Sequence, residues 1–217
     1  MVALGNDNST LRLAGILLCY VLFVGILFGQ ANAVHKKGVS ILFVGNSLTY
    51  YNNLPELVKQ NAKTHGIRLK YDLVAKPNYA IVDHWAEGKV QKLIAKNKYD
   101  YVIVQQGPSS QNEGRQMLIE SGKDYKQLCE KSNTKLCYYM VWPSQTYYHT
   151  YDGVIKNHRD AAQLNDAILL PVGEVWKAYF DRTDNFQYYG PDGFHRSLLG
   201  SKVAARVIVE YLLKDKK

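Results

Sequence analysis

Short apolar runs alternate along the chain with longer segments in which apolar residues recur every three or four positions. The short runs are rich in β-branched residues and nearly continuous in apolar character, which is typical of strands covered on both faces. They predict five strands, at residues 39–44, 69–75, 101–105, 136–141 and 168–172. The helical periodicity predicts six helices, at residues 54–65, 81–95, 116–131, 154–165, 174–180 and 197–213.

This order of strands and helices indicates the fold class. Repeated β-then-α units with short connections favour a parallel sheet with helices on both sides. We therefore predict one α/β/α domain. Since ligands of such sheets bind outside the carboxyl ends of the strands, the functional residues are expected in the segments that directly follow each strand.

The N-terminal segment has a different pattern. Residues 13–28 are almost wholly apolar, which suits the apolar region of a signal peptide and is short for a membrane span. Ala31-Asn32-Ala33 then fits the small-x-small pattern of a cleavage site. We predict that residues 1–33 are a secretion signal and that the protein is secreted or periplasmic. An uncleaved anchor stays open as an alternative, because only Arg12 supplies a basic side chain before the apolar run.

The net charge bears on the expected partners, and the cysteines bear on disulfide formation and metal binding. The formal net charge is +8, but the lysines are scattered and no nucleic-acid-binding motif accompanies them, so no nucleic-acid partner is expected. Cys129 and Cys137 would either pair in an oxidising compartment or stay as buried free thiols. Because there is no CxxC motif and no Cys/His cluster, we do not expect a structural zinc site.

Two polar motifs contain residues that could take part in catalysis. Gly45-Asn46-Ser47 follows the first strand, where Ser47 is either a nucleophile or an ordinary turn residue. Asp192 and His195 precede the last helix, where they either begin a turn and cap the helix or orient an imidazole. A serine nucleophile needs an imidazole to take its proton and a further group to hold that imidazole. Together the two motifs favour a catalytic interpretation.

The sequence resembles the SGNH, or GDSL-like, hydrolases. The resemblance is strongest in "VGNSLT" and "DGFHRSLLGS", where Asn46 replaces the usual Asp of the first block. It implies a three-layer, flavodoxin-like α/β/α sandwich with a five-stranded parallel sheet, and a catalytic domain spanning residues 34–217. It further implies that Ser47 is the nucleophile, His195 the general base and Asp192 the orienting carboxylate. No metal or organic cofactor is implied.

Two further blocks bear on the oxyanion hole. "PNYAIVDH" has Asn78 where the family has a Gly, and Asn is the non-glycine residue most tolerant of left-handed backbone. "YDYVIVQQGPSS" has Ser109 where the family has an Asn. The resemblance therefore implies that the N–H groups of Ser47 and Asn78 bind the oxyanion. A third donor is expected from the segment after the third strand, from Gln105, Gln106, Gly107 or Ser109.

Other polar and aromatic residues receive supporting roles. We predict that His84 supports the site through hydrogen bonds and that Trp142, after the fourth strand, either supports the site or contacts substrate. Paired tyrosines on strand-end loops are expected either to face a carbohydrate or to pack within the protein with only the hydroxyl in contact with water. These pairs are Tyr50-Tyr51, Tyr147-Tyr148 and Tyr188-Tyr189. The remaining histidines are expected at the surface: His65, His149 and His158.

These features predict a secreted serine esterase that removes short acyl groups, above all acetyl, from a carbohydrate. The expected partner is a glycan or small-molecule ester, with no membrane contact unless the N-terminal segment is retained. Two alternatives stay open. One is a lipid esterase or lysophospholipase on the same fold, since acyl-chain preference depends on pocket depth. The other is a glycan-binding protein that has lost efficient catalysis, as the altered second and third blocks suggest.

Overall fold

The structure is a computed structural model that describes Met1 and residues 38–96 and 98–215. The predicted secretion signal, apart from Met1, lies outside the described residues, and so does its boundary with the folded domain. Within the described part of the chain, no helix has the length and apolar character needed to cross a membrane.

Five parallel strands form one sheet, as predicted, and their order is β2-β1-β3-β4-β5. Their ends differ from the predicted ends by no more than two residues. The strands are β1 (Val39–Gly45), β2 (Leu69–Ala75), β3 (Tyr101–Val104), β4 (Lys135–Tyr139) and β5 (Ile168–Leu170). The register pairs Val44 of β1 with Val104 of β3, so the segments that follow these two central strands begin side by side.

Helices connect successive strands, and two more follow the last strand. They are α1 (Ser47–Tyr50), α2 (Leu54–Thr64), α3 (Ile81–Ala86), α4 (Lys89–Lys96), α5 (Asn112–Lys131), α6 (Tyr151–Leu164), α7 (Val172–Thr183) and α8 (Leu198–Lys214). The prediction of one helix over residues 81–95 was wrong. Gly88 adopts φ +72°, a left-handed conformation that a continuous helix does not contain, and it separates α3 from α4.

The layers follow from the alternation of side chains along the strands. On β1, Ile41 and Phe43 pack with α2, α7 and α8, whereas Leu42 and Val44 pack with helices α3 to α6 on the other face. Consecutive strand residues point to opposite faces, so a run without polar interruptions requires cover on both sides. The three-layer α/β/α prediction is confirmed.

The two described cysteines stay unpaired. Cys129 packs in the core on one side of the sheet and Cys137 in the core on the other, and both are free thiols. The disulfide that the sequence left open is therefore not formed. Burial raises the pKa of Cys129 to about 12, so its reactive thiolate is scarcely populated at neutral pH.

The prediction that His158 lies at the surface was wrong. Its side chain is buried in α6, where Nδ1–H donates to the carbonyl of Val154 at 2.8 Å. Burial lowers its pKa to about 4 because the charged form would lose its hydration. The imidazole can be buried because it bonds to a carbonyl of its own helix, one turn earlier. The sequence pattern does not reveal such a contact. His65 and His149 are exposed, as predicted.

Candidate active site

The turn after β1 presents Ser47 as the first residue of α1. Gly45 is required at the end of the strand, because a Cβ there would collide with the side chains of Thr49 and Gln105. Asn46 caps α1, its Oδ1 accepting from the N–H of Leu48 at 3.0 Å. Its Nδ2 donates to the carbonyl of Tyr79 at 3.0 Å. One amide therefore orders the serine turn and ties it to the segment after β2.

His195 joins the two motifs that the sequence singled out. Its Nε2 lies 2.9 Å from Ser47 Oγ, and its Nδ1 lies 2.6 Å from Asp192 Oδ2. In the neutral state Nδ1–H donates to Asp192, and the hydroxyl of Ser47 donates to Nε2. This Asp–His–Ser chain is the arrangement in which an imidazole removes a hydroxyl proton.

The conformation of the Asp192 loop holds the carboxylate in its ionised form. Asp192 Oδ1 accepts from the backbone N–H groups of Phe194 at 3.0 Å and of His195 at 2.9 Å. Partial burial by itself raises the pKa of Asp192, but the bond from the His195 ring and these two N–H groups outweigh it. The net effect lowers the pKa, so Asp192 is ionised at neutral pH and keeps Nδ1 of His195 protonated.

Three backbone N–H groups are candidates for the oxyanion hole. Asn78 adopts φ +60°, the left-handed conformation that the sequence predicted it would tolerate. In the described part of the chain, no group accepts a hydrogen bond from the N–H of Ser47, Asn78 or Gly107. A Cβ added to Gly107 would meet only open space, so its backbone borders a solvent-filled region. These groups can receive a substrate oxygen.

The side chains of the segment after β3 have structural partners instead. Gln105 Oε1 accepts from the N–H of Asn46 at 3.0 Å and from the hydroxyl of Thr49 at 2.7 Å. Gln106 Nε2 donates to Ser109 Oγ, whose own proton goes to the carbonyl of Gly107. The predicted side-chain donors Gln106 and Ser109 therefore hold the loop together. Among the backbone N–H groups of this segment, that of Gly107 stands beside open space and is the candidate donor to a substrate.

Several solved structures that align with this chain are described as hydrolases, lipases or esterases. A protein assigned to the SGNH hydrolases from Slackia heliotrinireducens aligns with TM-score 0.69 at 20% identity, over 81% of this chain and 100% of its own. The chain has the SGNH-hydrolase fold. A lipase/acylhydrolase from Enterococcus faecalis aligns at TM-score 0.65 and 15% identity, over 82% of this chain and 96% of its own. A variant of an acetyl-xylooligosaccharide esterase from Geobacillus gives TM-score 0.65 at 13% identity, over 82% and 96%.

No protein-family model matches the sequence, and no curated protein matches it either. The structural alignments establish the SGNH-hydrolase fold. At 13–20% identity they do not establish the reaction, which has to be inferred from the site. The alignments cover 81–82% of this chain, so the fold extends over most of it.

His84 lies behind the serine turn of this SGNH-hydrolase fold. The side chain is fully buried, and Nε2–H donates to the carbonyl of Gly45 at 2.8 Å. Burial lowers the pKa of His84, and the bond to Gly45 only partly offsets that effect. His84 therefore stays neutral and supports the end of β1 through a hydrogen bond.

The aromatic residues are mostly structural. Trp142 is fully buried, stacks on Trp176 at a centroid distance of 3.7 Å, and donates Nε1–H to the carbonyl of Phe194 at 2.9 Å. It supports the loop of His195, and a substrate-stacking role for it is excluded because the ring has no exposed face. Tyr188 and Tyr189 also belong to the core. Of the two alternatives that the sequence left open for these tyrosines, packing is the one that the structure shows.

Tyr51, in contrast to Tyr188 and Tyr189, is exposed. Its ring is 40% exposed and stacks on the imidazole of His195 at a centroid distance of 4.9 Å, with an interplanar angle of 28°. It therefore offers an aromatic surface beside the catalytic candidate. Tyr147 is also exposed, and its ring lies near His149.

Arg196, next to His195, is a buried residue that the sequence analysis missed. Its guanidinium donates to backbone carbonyls of the serine turn, including that of Leu48 at 2.6 Å. A basic residue directly after a candidate histidine was the only signal in the sequence, and such residues are usually exposed.

Within residues 38–96 and 98–215, no group of three or more His, Cys, Asp or Glu side chains is arranged to hold a metal ion.

Proposed function

We propose that the protein is a serine carboxylic ester hydrolase. The observation that carries the proposal is the continuous contact from Asp192 through His195 to Ser47 Oγ, at 2.6 and 2.9 Å. It is supported by the solved SGNH-fold structures, which are described as hydrolases, lipases and esterases.

The reaction begins with proton transfer from Ser47 Oγ to His195 Nε2 as Oγ attacks the ester carbonyl. The carbonyl oxygen becomes an oxyanion, and its proposed donors are the N–H groups of Ser47, Asn78 and Gly107. Each such donor is worth about 3 kcal/mol of transition-state stabilisation in comparable sites. Ionised Asp192 stabilises the imidazolium that His195 becomes.

Collapse of the tetrahedral intermediate completes the first half of the reaction. The carbon–oxygen bond to the leaving alcohol breaks, and His195 returns its proton to that oxygen. An acyl group stays on Ser47. Water then attacks this acyl-enzyme with His195 again as base, and the acid is released with Ser47 restored.

For the substrate we propose a short acyl ester, above all acetyl, on a carbohydrate. The exposed face of Tyr51 beside His195 is suited to stacking on a sugar ring. One solved structure with this fold is described as an acetyl-xylooligosaccharide esterase. Another is described as a lipase/acylhydrolase, which favours a lipid ester as the second candidate. A series of p-nitrophenyl esters from acetyl to dodecanoyl distinguishes the two by chain-length preference.

We also propose that the protein is exported. The support is the apolar run of residues 13–28, followed by Ala31-Asn32-Ala33. Mass determination of the protein recovered from cells that express the full chain measures whether residues 1–33 are removed.

The first prediction tests the nucleophile. Ser47→Ala removes the attacking oxygen, so hydrolysis of p-nitrophenyl acetate is expected to fall by ~1000-fold or more while the fold is kept. Ser132→Ala, at the C-terminal end of α5, is the matched control and should retain full activity. Retention of wild-type activity by Ser47→Ala would show that the assignment is wrong.

Labelling separates an enzyme from a binding protein. A fluorophosphonate reacts covalently only with an activated serine, so wild type should be labelled and Ser47→Ala should not. Binding of glycans by an unlabelled wild-type protein would instead support a non-catalytic glycan-binding function.

A further inference from the structure

Arg196 is buried without an acidic partner. Its side chain is among the largest that are fully buried, with an exposed fraction of 1%. No carboxylate of the described residues forms an ion pair with it. Removing an arginine from water is costly, and in most proteins a carboxylate offsets that cost. Here the guanidinium is surrounded by backbone carbonyls.

Those carbonyls belong to one short segment. Nη1 donates to Leu48 at 2.6 Å, and Nη2 donates to Thr49 at 3.4 Å and to Tyr51. Leu48 and Thr49 are the second and third residues of α1, whose first residue is Ser47. The last carbonyls of any helix lack partners within it, and they attract positive charge. A four-residue helix is also too short to be stable alone, so an external group must hold it.

A second bond runs in the opposite direction. Asn52, two residues after the end of α1, donates Nδ2–H to the carbonyl of Arg196 at 3.1 Å and to Ser201 Oγ at 3.0 Å. The serine turn and the segment that contains His195 are therefore joined through both the side chain and the backbone of Arg196. Because Arg196 is bonded covalently to His195, a shift of α1 relative to Arg196 changes the separation between Ser47 and the imidazole.

We propose that Arg196 is a positioning residue that sets the geometry of Ser47 Oγ relative to His195 Nε2 by clamping the carbonyls of α1. The inference rests on the proposed function, because it assumes that the contact between Ser47 and His195 performs the chemistry. Arg196 itself touches no reacting atom.

The test compares variants that differ in their donors. Arg196→Met keeps much of the side-chain length and removes every donor, whereas Arg196→Lys keeps the charge and some hydrogen bonds. Misplacement of a nucleophile by about 1 Å costs on the order of 100-fold in rate. We expect kcat for p-nitrophenyl acetate to fall by ~30- to 100-fold in Arg196→Met, with KM changed by less than about threefold. Arg196→Lys should recover part of the lost kcat.

Two controls separate positioning from loss of charge or stability. Arg206→Met makes the same substitution at a half-exposed position of α8, where Arg206 faces Glu210, and should leave kcat unchanged. Ile208→Ala creates a cavity in the core beneath the same helix. It should lower the melting temperature and leave kcat of the folded enzyme unchanged. A proportional loss of kcat in Ile208→Ala would overturn the proposal, as would wild-type kcat in Arg196→Met.

Crystal structures of wild type and of the Arg196 variants give a readout that does not depend on activity. We expect the 2.9 Å contact between Ser47 Oγ and His195 Nε2 to be lost in Arg196→Met and lengthened in Arg196→Lys. If Arg196→Met does not fold, Arg196→Lys carries the test. An unchanged contact in the folded variants would overturn the clamp. If wild type proves inactive on every ester, the proposed function fails, and these structures still decide whether Arg196 positions Ser47.

Discussion

Asn46 shows how one side chain can depart from a motif and still suit its site. The family pattern has Asp at this position. Here the oxygen of the amide caps α1, and the NH₂ group donates to the carbonyl of Tyr79. A carboxylate could make the first bond and not the second, since it has no hydrogen to donate. The asparagine is therefore required by the neighbouring segment that contains Asn78.

We predict that restoring the usual motif harms this protein. Asn46→Asp places a carboxylate against the carbonyl of Tyr79, which loses its donor. We expect the free energy of unfolding to fall by about 1–3 kcal/mol, together with a lower kcat. Asn185→Asp is the control, since Asn185 uses its oxygen to accept from Gln187 and Asp preserves that bond. Chemical denaturation and ester hydrolysis measure both effects. An Asn46→Asp protein as stable and active as wild type would contradict this explanation.

The loop before α8 is the element that orients His195. Gly193 adopts φ +65°, and the N–H of Gly190 donates to the carbonyl of His195 at 2.6 Å, which closes a tight turn. The N–H of Gln145 donates to the carbonyl of Gly193 at 2.8 Å, and Trp142 donates to that of Phe194. The segment after β4 therefore supports the loop at two points.

The tryptophan pair tests this support. Trp142→Phe removes the N–H that binds Phe194 O, so we expect the unfolding free energy to fall by about 2 kcal/mol and kcat to fall several-fold. Trp176→Phe makes the same change of ring in the same stack. In the described part of the chain the Trp176 N–H has no partner, so no hydrogen bond is lost. Its kcat should match wild type, and equal kcat losses in both variants would show that packing alone matters.

At the scale of the whole molecule, the buried histidine His158 links stability to pH. Its pKa is about 4 in the folded protein against 6.5 for the free side chain. Between these values the unfolded chain binds a proton that the folded chain does not. Stability therefore rises with pH through this window and falls on acidification. Over the whole window, protonation of the unfolded chain at His158 lowers the free energy of unfolding by about 3 kcal/mol, because one pKa unit corresponds to about 1.4 kcal/mol.

We predict that removing the imidazole reduces this acid sensitivity. In His158→Leu, the loss of unfolding free energy between pH 7 and pH 4.5 should be smaller than in wild type by about 2 kcal/mol. His149→Leu changes an exposed histidine and should keep the wild-type dependence. Urea denaturation at several pH values measures the difference. Identical pH dependence of His158→Leu and wild type would be inconsistent with a neutral, buried His158.

The architecture was predictable because it depends on local patterns. Strands covered on both faces need unbroken apolar runs such as that of β1, and helices need a repeating apolar stripe, so the number and order of strands could be deduced. The break at Gly88 was not, since a single glycine in a helical pattern is compatible with either outcome. The burial of His158 was also missed, because the polar groups of an imidazole do not reveal from the sequence how deeply its ring packs.

By itself, the sequence determined the α/β/α class and singled out Ser47, Asp192 and His195, because a serine after the first strand and an Asp-x-x-His pair before the last helix together supply a nucleophile, a base and an orienting carboxylate. Only the tertiary structure decided which donors face a substrate and which hold the loops. In the structure, the side chains of Gln105, Gln106 and Ser109 form hydrogen bonds that hold the loops. Trp142 is buried and donates to Phe194, and Arg196 donates to carbonyls of α1. The physical reason is that a hydrogen-bond donor has the same chemistry in either role, and its partner is set by contacts between segments distant in the chain.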